Sequence, residues 1–395
     1  MEQVSTENLI VVAVVMAIAA AIPALLPRLP VPGVVLEIVL GVVAGPQFLG
    51  LIHPGTTLNF LADFGLGMLF LMAGFEMDPA LLRGRPIRNA LAGWGLTAVI
   101  ALGSAMLLVT AGLASGWLLV GLALSTTTIG ALLPMLRDSG LLAPPYGPIV
   151  LAAGAVGEAA PVIALSLVLA QGRAPTQALI MLAFAAGAAG AIIASARVST
   201  GYLSTVVART MGTSGQLPMR LAICVLILMV VLSDQLNIDM VLGAFIAGAL
   251  VRAALDRRHD EAISARLDGV GSAFLVPIFF VTSGVRLDVA SLFSDPIALT
   301  MVPLYAVLML ATRGVPALLL YRADLPLAQR IGLAFHTGTQ LSLVVAITSI
   351  AVRRGLMPGV QGAALVGGGI LTTILYPAMA QHFLLQNRAP DHQST

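Results

Sequence analysis

The residue with the clearest chemical potential is Glu158, the one charged side chain in the apolar stretch 150–170, VLAAGAVGEAAPVIALSLVLA. The stretch is long enough to cross a bilayer as a helix, and it places the carboxylate near its middle. A charge at that depth costs at least about 2.5–3.5 kcal/mol even on the lenient insertion scale. We expect this carboxylate to be neutralised by a bound cation or a proton. The alternative is a buried ion pair that only holds helices together.

Two other apolar stretches carry clusters of side-chain oxygens. They are Ser125, Thr126, Thr127 and Thr128 in the first stretch, and His336, Thr337, Thr339 and Gln340 in the second. Because β-branched Thr and the nearby Gly and Pro residues weaken a helix, we expect both helices to break near the membrane midplane. Opened carbonyls and hydroxyl oxygens suit a dehydrated monovalent cation, Na⁺ or K⁺. The alternative is that the hydroxyls only join packed helices.

Arg313 and His336 add two further polar groups inside apolar stretches. Arg313 serves as a counter-charge to Glu158, or its side chain reaches back to the membrane surface. His336 is a candidate proton relay, although a neutral, hydrogen-bonded histidine is the commoner case. The other acids of the apolar stretches lie near their ends, where water is within reach, and we interpret them as interfacial or packing residues.

These residues must be positioned by membrane helices, because the chain of 395 residues is 58% hydrophobic and only 10% charged. Soluble domains carry about 25% charged residues. The composition predicts an all-α integral membrane protein with about thirteen spans. The predicted spans are 8–27, 32–51, 57–77, 89–112, 116–136, 146–171, 176–196, 218–234, 239–255, 270–287, 297–321, 328–352 and 360–385.

The distribution of arginine predicts the orientation of these spans. With an odd number of spans the termini lie on opposite sides, and only Arg173, Arg286, Arg353 and Arg354 fall on the poorer side. We therefore expect the N-terminus outside and the C-terminus in the cytoplasm. The first stretch lacks the basic flank of a cleaved signal peptide, so we expect a retained helix. No soluble domain is expected, and the single cysteine excludes an internal disulfide framework.

Three motifs of the first half recur in the second half in the same order. LGVVAG at 40–45 matches GAFIAG at 243–248, FLMAGFEMD at 70–78 matches FVTSGVRLD at 280–288, and STTTIGALLP at 125–134 matches HTGTQLS at 336–342. Spans 1–6 therefore repeat as spans 8–13, and the seven spans between counterparts invert the topology. Inverted repeats are typical of secondary transporters.

Five motifs together resemble those of the monovalent cation:proton antiporters, in particular the bacterial branch with the Kef and NapA types. They are VPGVVLEIVLGVVAGPQFLGLI, GMLFLMAGFEMD, LSTTTIGALLPMLRDSG, VLGAFIAGALV and PIFFVTSGVRLD. The resemblance runs from about residue 8 to 385. It implies a homodimer in a bacterial-type inner membrane, with a dimerisation part at about 8–77 and 218–287. It also implies a core transport part at about 89–171 and 297–385, with a linker helix at about 176–196.

The resemblance further implies that Glu158 is the ion-binding carboxylate and that Arg313 is the core cation of the eleventh span. At the position of Glu158, family members usually have Asp. Just before it they often have Asp, Asn or Gln, whereas this chain has Gly157. The Kef branch usually carries a cytoplasmic nucleotide-binding domain, and we expect none in this chain. One core carboxylate holds one cation or one proton, so we expect electroneutral exchange.

The sequence thus predicts a secondary-active antiporter that exchanges protons for Na⁺ or K⁺ by alternating access. Its expected partners are these ions and the lipid bilayer, with no other cofactor and no nucleic acid. We expect no enzymatic activity, since the sequence offers no nucleophile–base pair, metal-ligand spacing or nucleotide loop. Two alternatives remain: a K⁺ channel of the Kef type that needs a partner subunit, and a proton-coupled carrier of an organic solute on the same fold.

Overall fold

A computed structural model of the chain describes residues 6–26, 31–77, 85–128, 139–169, 216–254 and 260–386, with a few isolated residues between 136 and 210. Every regular element in these ranges is a helix. Nine helices of the described ranges are long and apolar enough to cross a membrane, and two shorter apolar helices accompany them. The predicted all-α membrane architecture is therefore confirmed. The predicted linker helix lies almost wholly outside the described residues.

The helices of the first part of the chain run up to the carboxylate-bearing stretch. They are α1 (Thr6–Leu25), α2 (Gly33–Ala44), α3 (Thr56–Glu76), α4 (Arg85–Thr110), α5 (Trp117–Leu124) and α6 (Tyr146–Leu169). The helices of the later part begin after residue 216. They are α7 (Leu217–Gln235), α8 (Met240–Ala254), α9 (Asp260–Val270), α10 (Val276–Arg286), α11 (Val289–Ser294), α12 (Pro296–Leu320), α13 (Leu327–Gly338), α14 (Ser342–Arg353) and α15 (Gly359–Gln386).

The chain folds into two compact units. The first unit contains Met1–Met16, Ile52–Ala80 and Val162–Thr282, and the second contains Ala17–Leu51, Leu81–Pro161 and Ser283–Thr395. Every site residue predicted from the sequence belongs to the second unit. The separation into a dimerisation part and a core transport part stays a prediction.

In the first unit, α3 and α8 pack with their backbones in direct contact. A Cβ atom built on Gly74 would collide with the carbonyl oxygen of Phe245, and one built on Gly248 would collide with that of Leu71. Glycine permits this approach, as small residues commonly do between membrane helices. The contact explains why GAFIAG and FLMAGFEMD contain glycine where an apolar run would otherwise place a larger residue.

In the second unit, α12 is the central helix and packs against α4, α13 and α15. It begins at Pro296 because the carboxylate of Asp295 caps its first turn and accepts a hydrogen bond of 2.9 Å from the backbone N–H of Ile297. Buried Tyr321, Leu333 and other apolar side chains form the core at one end of this unit. The packing fixes the helix that carries Arg313.

Several predicted span boundaries differ from the structure, with the largest differences at the second, fifth and tenth spans. The second span was expected at 32–51, but α2 ends at Ala44. The tenth span was expected at 270–287, but the helix begins at Asp260 and continues through a π-helical turn at Gly271–Leu275 into α10. The charged side chains of Arg266 and Asp268 lower the local hydropathy without disfavouring a helix, so hydropathy placed the start too late. The fifth span was expected to run from 116 to 136, but α5 ends at Leu124.

Candidate functional site

The two hydroxyl-rich stretches break the helix as predicted. After α5 ends at Leu124, residues 126–128 have no regular structure, and residues 129–135 lie outside the described ranges. The predicted twelfth span is two helices, α13 and α14, separated by the non-helical residues 339–341. Both breaks leave backbone N–H and C=O groups without helical partners, and these groups need other partners in an apolar interior.

The broken segments at 125–128 and 339–341, here called the crossover, provide those partners for each other. The backbone N–H of Thr128 donates to the carbonyl oxygen of Thr339 at 3.2 Å, and the N–H of Leu341 donates to Thr128 Oγ1 at 3.2 Å. The hydroxyl of Thr126 donates to Gln340 Oε1 at 3.2 Å. Each segment thus closes the hydrogen bonds that the other segment's break opened.

Gln340 lies at the centre of the crossover with none of its surface exposed. Its amide nitrogen donates to the carbonyl oxygen of Leu124, the last residue of α5, at 3.2 Å. Its own backbone carbonyl accepts from Thr372 Oγ1 on α15, and its backbone N–H donates to the same hydroxyl, both at 3.1 Å. The Leu124 carbonyl also accepts from Thr312 Oγ1 at 2.8 Å. Gln340 therefore ties both half-helices to α15.

Thr127 links the crossover to the helix of Glu158. Its backbone N–H donates to the carbonyl oxygen of Gly157 at 3.0 Å, and its hydroxyl donates to the carbonyl oxygen of Thr337 at 2.8 Å. Glu158 itself lies midway along α6 and is only 8% exposed. The fold therefore brings the buried carboxylate to the residues where both helices break.

Arg313 is also buried, with 5% of its surface exposed. Its Nη2 atom donates to the carbonyl oxygen of Ala153 at 3.0 Å, and its Nε atom donates to that of Thr337 at 3.4 Å. The guanidinium also contacts Gly157. The guanidinium therefore lies in the interior of the unit, with its positive charge against the residue that precedes Glu158.

His336, on α13, contacts the first residue of α6. Its Nδ1 atom and the hydroxyl of Tyr146, the first residue of α6, are 2.7 Å apart. Twelve residues separate Tyr146 from Glu158, which is about 18 Å along the helix axis at 1.5 Å per residue.

The predicted hydroxyls share one feature, which is that each donates its hydrogen to a carbonyl or amide oxygen or accepts from the backbone. Ser125 donates to Leu122, Thr337 to Leu333 and Thr339 to Phe335. These bonds shape the two half-helices. A hydroxyl group that donates its hydrogen keeps lone pairs on its oxygen, and these lone pairs can bind a cation. Of the two roles expected from the sequence, ligand or backbone shaper, the bonds present are those of the second.

Three contributors to the site were missed from the sequence. Thr312 and Thr372 hold the crossover, and Gly157 makes room for the guanidinium. Thr372 and Thr373 are two adjacent threonines within an apolar span, and this pattern could have identified Thr372 from the sequence. The space that Gly157 provides cannot be predicted in this way, because it depends on which side chains lie next to residue 157 in the folded protein.

The sequence as a whole matches one family of membrane proteins. The model of the family described as "Sodium/hydrogen exchanger, transmembrane" matches residues 12–386. The chain belongs to the sodium/hydrogen exchanger family. The broader prediction of a monovalent cation:proton antiporter family is thereby confirmed, while the narrower Kef and NapA branch stays a prediction.

Individual members of this family are distant relatives of the chain. A Bacillus subtilis protein, YjbQ, named as an Na⁺/H⁺ antiporter, is 29% identical over 92% of this chain, and the match covers 61% of the YjbQ sequence. An Na⁺/H⁺ antiporter of Enterococcus hirae is 21% identical over 89% of this chain and 92% of its own length. The chain thus spans about three-fifths of the first relative and nearly all of the second.

The fold matches that of a solved antiporter. The structure of the sodium proton antiporter MjNhaP1 from Methanocaldococcus jannaschii superposes with a TM-score of 0.67, covering 95% of this chain and 97% of that chain at 15% identity. At this identity the likeness establishes the fold. The family and the fold are those of transporters.

Proposed function

We propose that this protein is a secondary-active antiporter that exchanges protons for a monovalent cation, Na⁺ or K⁺, with Glu158 as the shared carrier. The observation that carries the proposal is the burial of this one carboxylate in mid-helix, next to two helices that break at the same level. A carboxylate in that position needs a neutralising partner, and a cation and a proton can each serve in turn. The membership in the exchanger family supports this exchange.

The other residues of the site have supporting roles in this proposal. Thr126, Thr127 and Gln340 hold the crossover in shape and offer oxygen lone pairs, while Arg313 supplies a fixed positive charge. The half-helix ends at Leu124 and Gly338 add partial charges near the ion. No covalent chemistry is required, since the exchange only moves an ion and a proton.

The test is proton movement in proteoliposomes made with the purified protein. With a proton gradient across the membrane, addition of Na⁺, K⁺ or Li⁺ should release protons in proportion to the coupled cation. Glu158→Gln mimics the permanently protonated carboxyl, so it should abolish this release while the protein keeps its thermal stability. Full exchange by Glu158→Gln would contradict the proposal.

The same assay separates the alternatives. A K⁺ channel would conduct the cation without moving protons, and its flux would not depend on Glu158. A carrier of an organic solute would show no proton release with any inorganic cation.

We further propose that the protein acts as a homodimer in the plasma membrane, with the N-terminus outside and two halves of inverted topology.

A further inference from the structure

We infer that Gly157 is a positioning residue for Arg313: the absence of a side chain at 157 makes the space that the guanidinium occupies against α6, one residue before Glu158, and this sets the pH range of the exchange. The effect on pH rests on the proposed function. The positioning itself rests on geometry alone and can be tested without transport.

The geometry around Gly157 leaves no room for a side chain. A Cβ atom built there would collide with Nη2 of Arg313, and it would lie 2.8 Å from Oγ1 and 2.9 Å from Cβ of Thr127. All of these contacts are closer than real Cβ atoms show. Gly157 lies within α6, where any residue can adopt the backbone conformation. Glycine is therefore needed at this position for space rather than for backbone freedom.

Of the two neighbours, Arg313 is the one that can move. Thr127 is fixed by its bonds to Gly157 and Thr337, whereas the guanidinium is the far end of a long, flexible side chain. A methyl group at 157 would therefore push the guanidinium away and break its bond to the carbonyl oxygen of Ala153.

A small cavity lies next to Arg313. It is lined by Trp94, Thr97 and Tyr321 among others. The hydroxyls of Thr97 and Tyr321 are buried and have no hydrogen-bond partner within the part of the chain that the structure describes. Either hydroxyl oxygen can accept from a guanidinium N–H. For this reason we expect Gly157→Ala to fold with Arg313 in a new position.

Moving this charge changes how readily Glu158 loses its proton. A nearby positive charge favours the carboxylate over the neutral acid, so withdrawal of the guanidinium favours the protonated form. The titratable and charged groups of α6, α12 and α13 in the described ranges are Glu158 and Tyr146 on α6, Tyr305 and Arg313 on α12 with Tyr321 at its end, and Arg330 and His336 on α13. Helix α4 carries Arg85 and Arg88 in its first turn. The lining residues of α4 are uncharged, and the phenols are neutral near pH 7. Arg313 is therefore the charge that Gly157→Ala would move.

The structural arm of the test is a thermal-unfolding cycle with Gly157→Ala, Arg313→Ala and the double variant in detergent. Arg313→Ala removes the nearest of the atoms that the new methyl group meets and leaves its two contacts with Thr127, so Gly157→Ala should cost clearly less stability in the Arg313→Ala background than in the wild-type background. Gly95→Ala is the matched control, because nothing lies within 4 Å of a Cβ atom at that position. If Gly157→Ala fails to fold, recovery by Arg313→Ala supports the inference. Additive losses would overturn it.

The transport arm is the pH profile of cation-driven proton release. Gly157→Ala should move the profile to more alkaline pH by about one unit, in the same direction as Arg313→Ala, and the double variant should shift no further. A wild-type profile for Gly157→Ala would overturn the inference. If no variant and no wild-type protein exchanges cations, the proposed function fails while the unfolding cycle still decides the positioning.

Discussion

Arg313 donates to two backbone carbonyls in the interior, so its charge stays close to the helix of Glu158. Sequence reasoning found both charged residues because each interrupts a long apolar run. It could not decide where the guanidinium would lie, since a long side chain can reach either inward or to the surface. Only the packing of α6 and α13 around it settles that choice.

At this scale we predict that Arg313→Ala moves the pH profile of exchange to more alkaline pH. Removal of the positive charge favours the protonated carboxyl of Glu158, so a higher pH is needed before the cation can compete. Arg322→Ala is the control, because Arg322 is exposed and its charge is screened by solvent and salt. Initial rates over a pH series measure both variants. Coincident profiles would mean that burial alone tunes Glu158.

The crossover is the element that the sequence predicted in part. Hydroxyls, Gly338 and the nearby Pro134 weaken a helix locally, so the two breaks could be predicted from residue types. The pairing of Thr126 with Gln340 and of Thr128 with Thr339 could not, because it joins residues more than two hundred positions apart. Local propensity shows where a helix ends, whereas tertiary packing decides which groups satisfy the open backbone.

At the scale of this element, Thr126→Val and Gln340→Ala should each lower the stability, the first by about 0.5–1.5 kcal/mol for one lost hydrogen bond. Because the two side chains share that bond, the double variant should lose less than the sum. Thr300→Val is the control, since its hydroxyl bonds within its own helix at an exposed position. Thermal unfolding in detergent measures the cycle. Strictly additive losses would show that the Thr126–Gln340 bond contributes nothing.

On the scale of the whole molecule, the all-α membrane architecture followed from composition, and the family followed from motifs spread along the chain. The limits of the spans were predicted less accurately, as α9 and α10 show. Hydropathy indicates how apolar the surroundings of a helix are, and it does not indicate where the helix begins and ends. The stoichiometry is a property of the same scale. It depends on how many carboxylates the transport site holds.

We predict one proton per cation and therefore electroneutral exchange, since Glu158 is preceded by Gly157 instead of a second acid. The membrane potential of the proteoliposomes can be clamped with a K⁺ ionophore and a K⁺ gradient, in which choline replaces K⁺ on one side. The steady-state Na⁺ gradient should not respond to this potential. A wild-type gradient that follows the potential would exclude a single carrier.

The mutual hydrogen bonding of the crossover also limits how this protein can move during a transport cycle. Separating the two broken segments would expose several backbone N–H and C=O groups to an apolar surrounding at once, at a cost of several kcal/mol for each group. Thr127 extends the same constraint to α6 through the carbonyl of Gly157. We therefore expect the half-helices and the part of α6 that bears Glu158 to move together, with access alternating while the crossover stays closed.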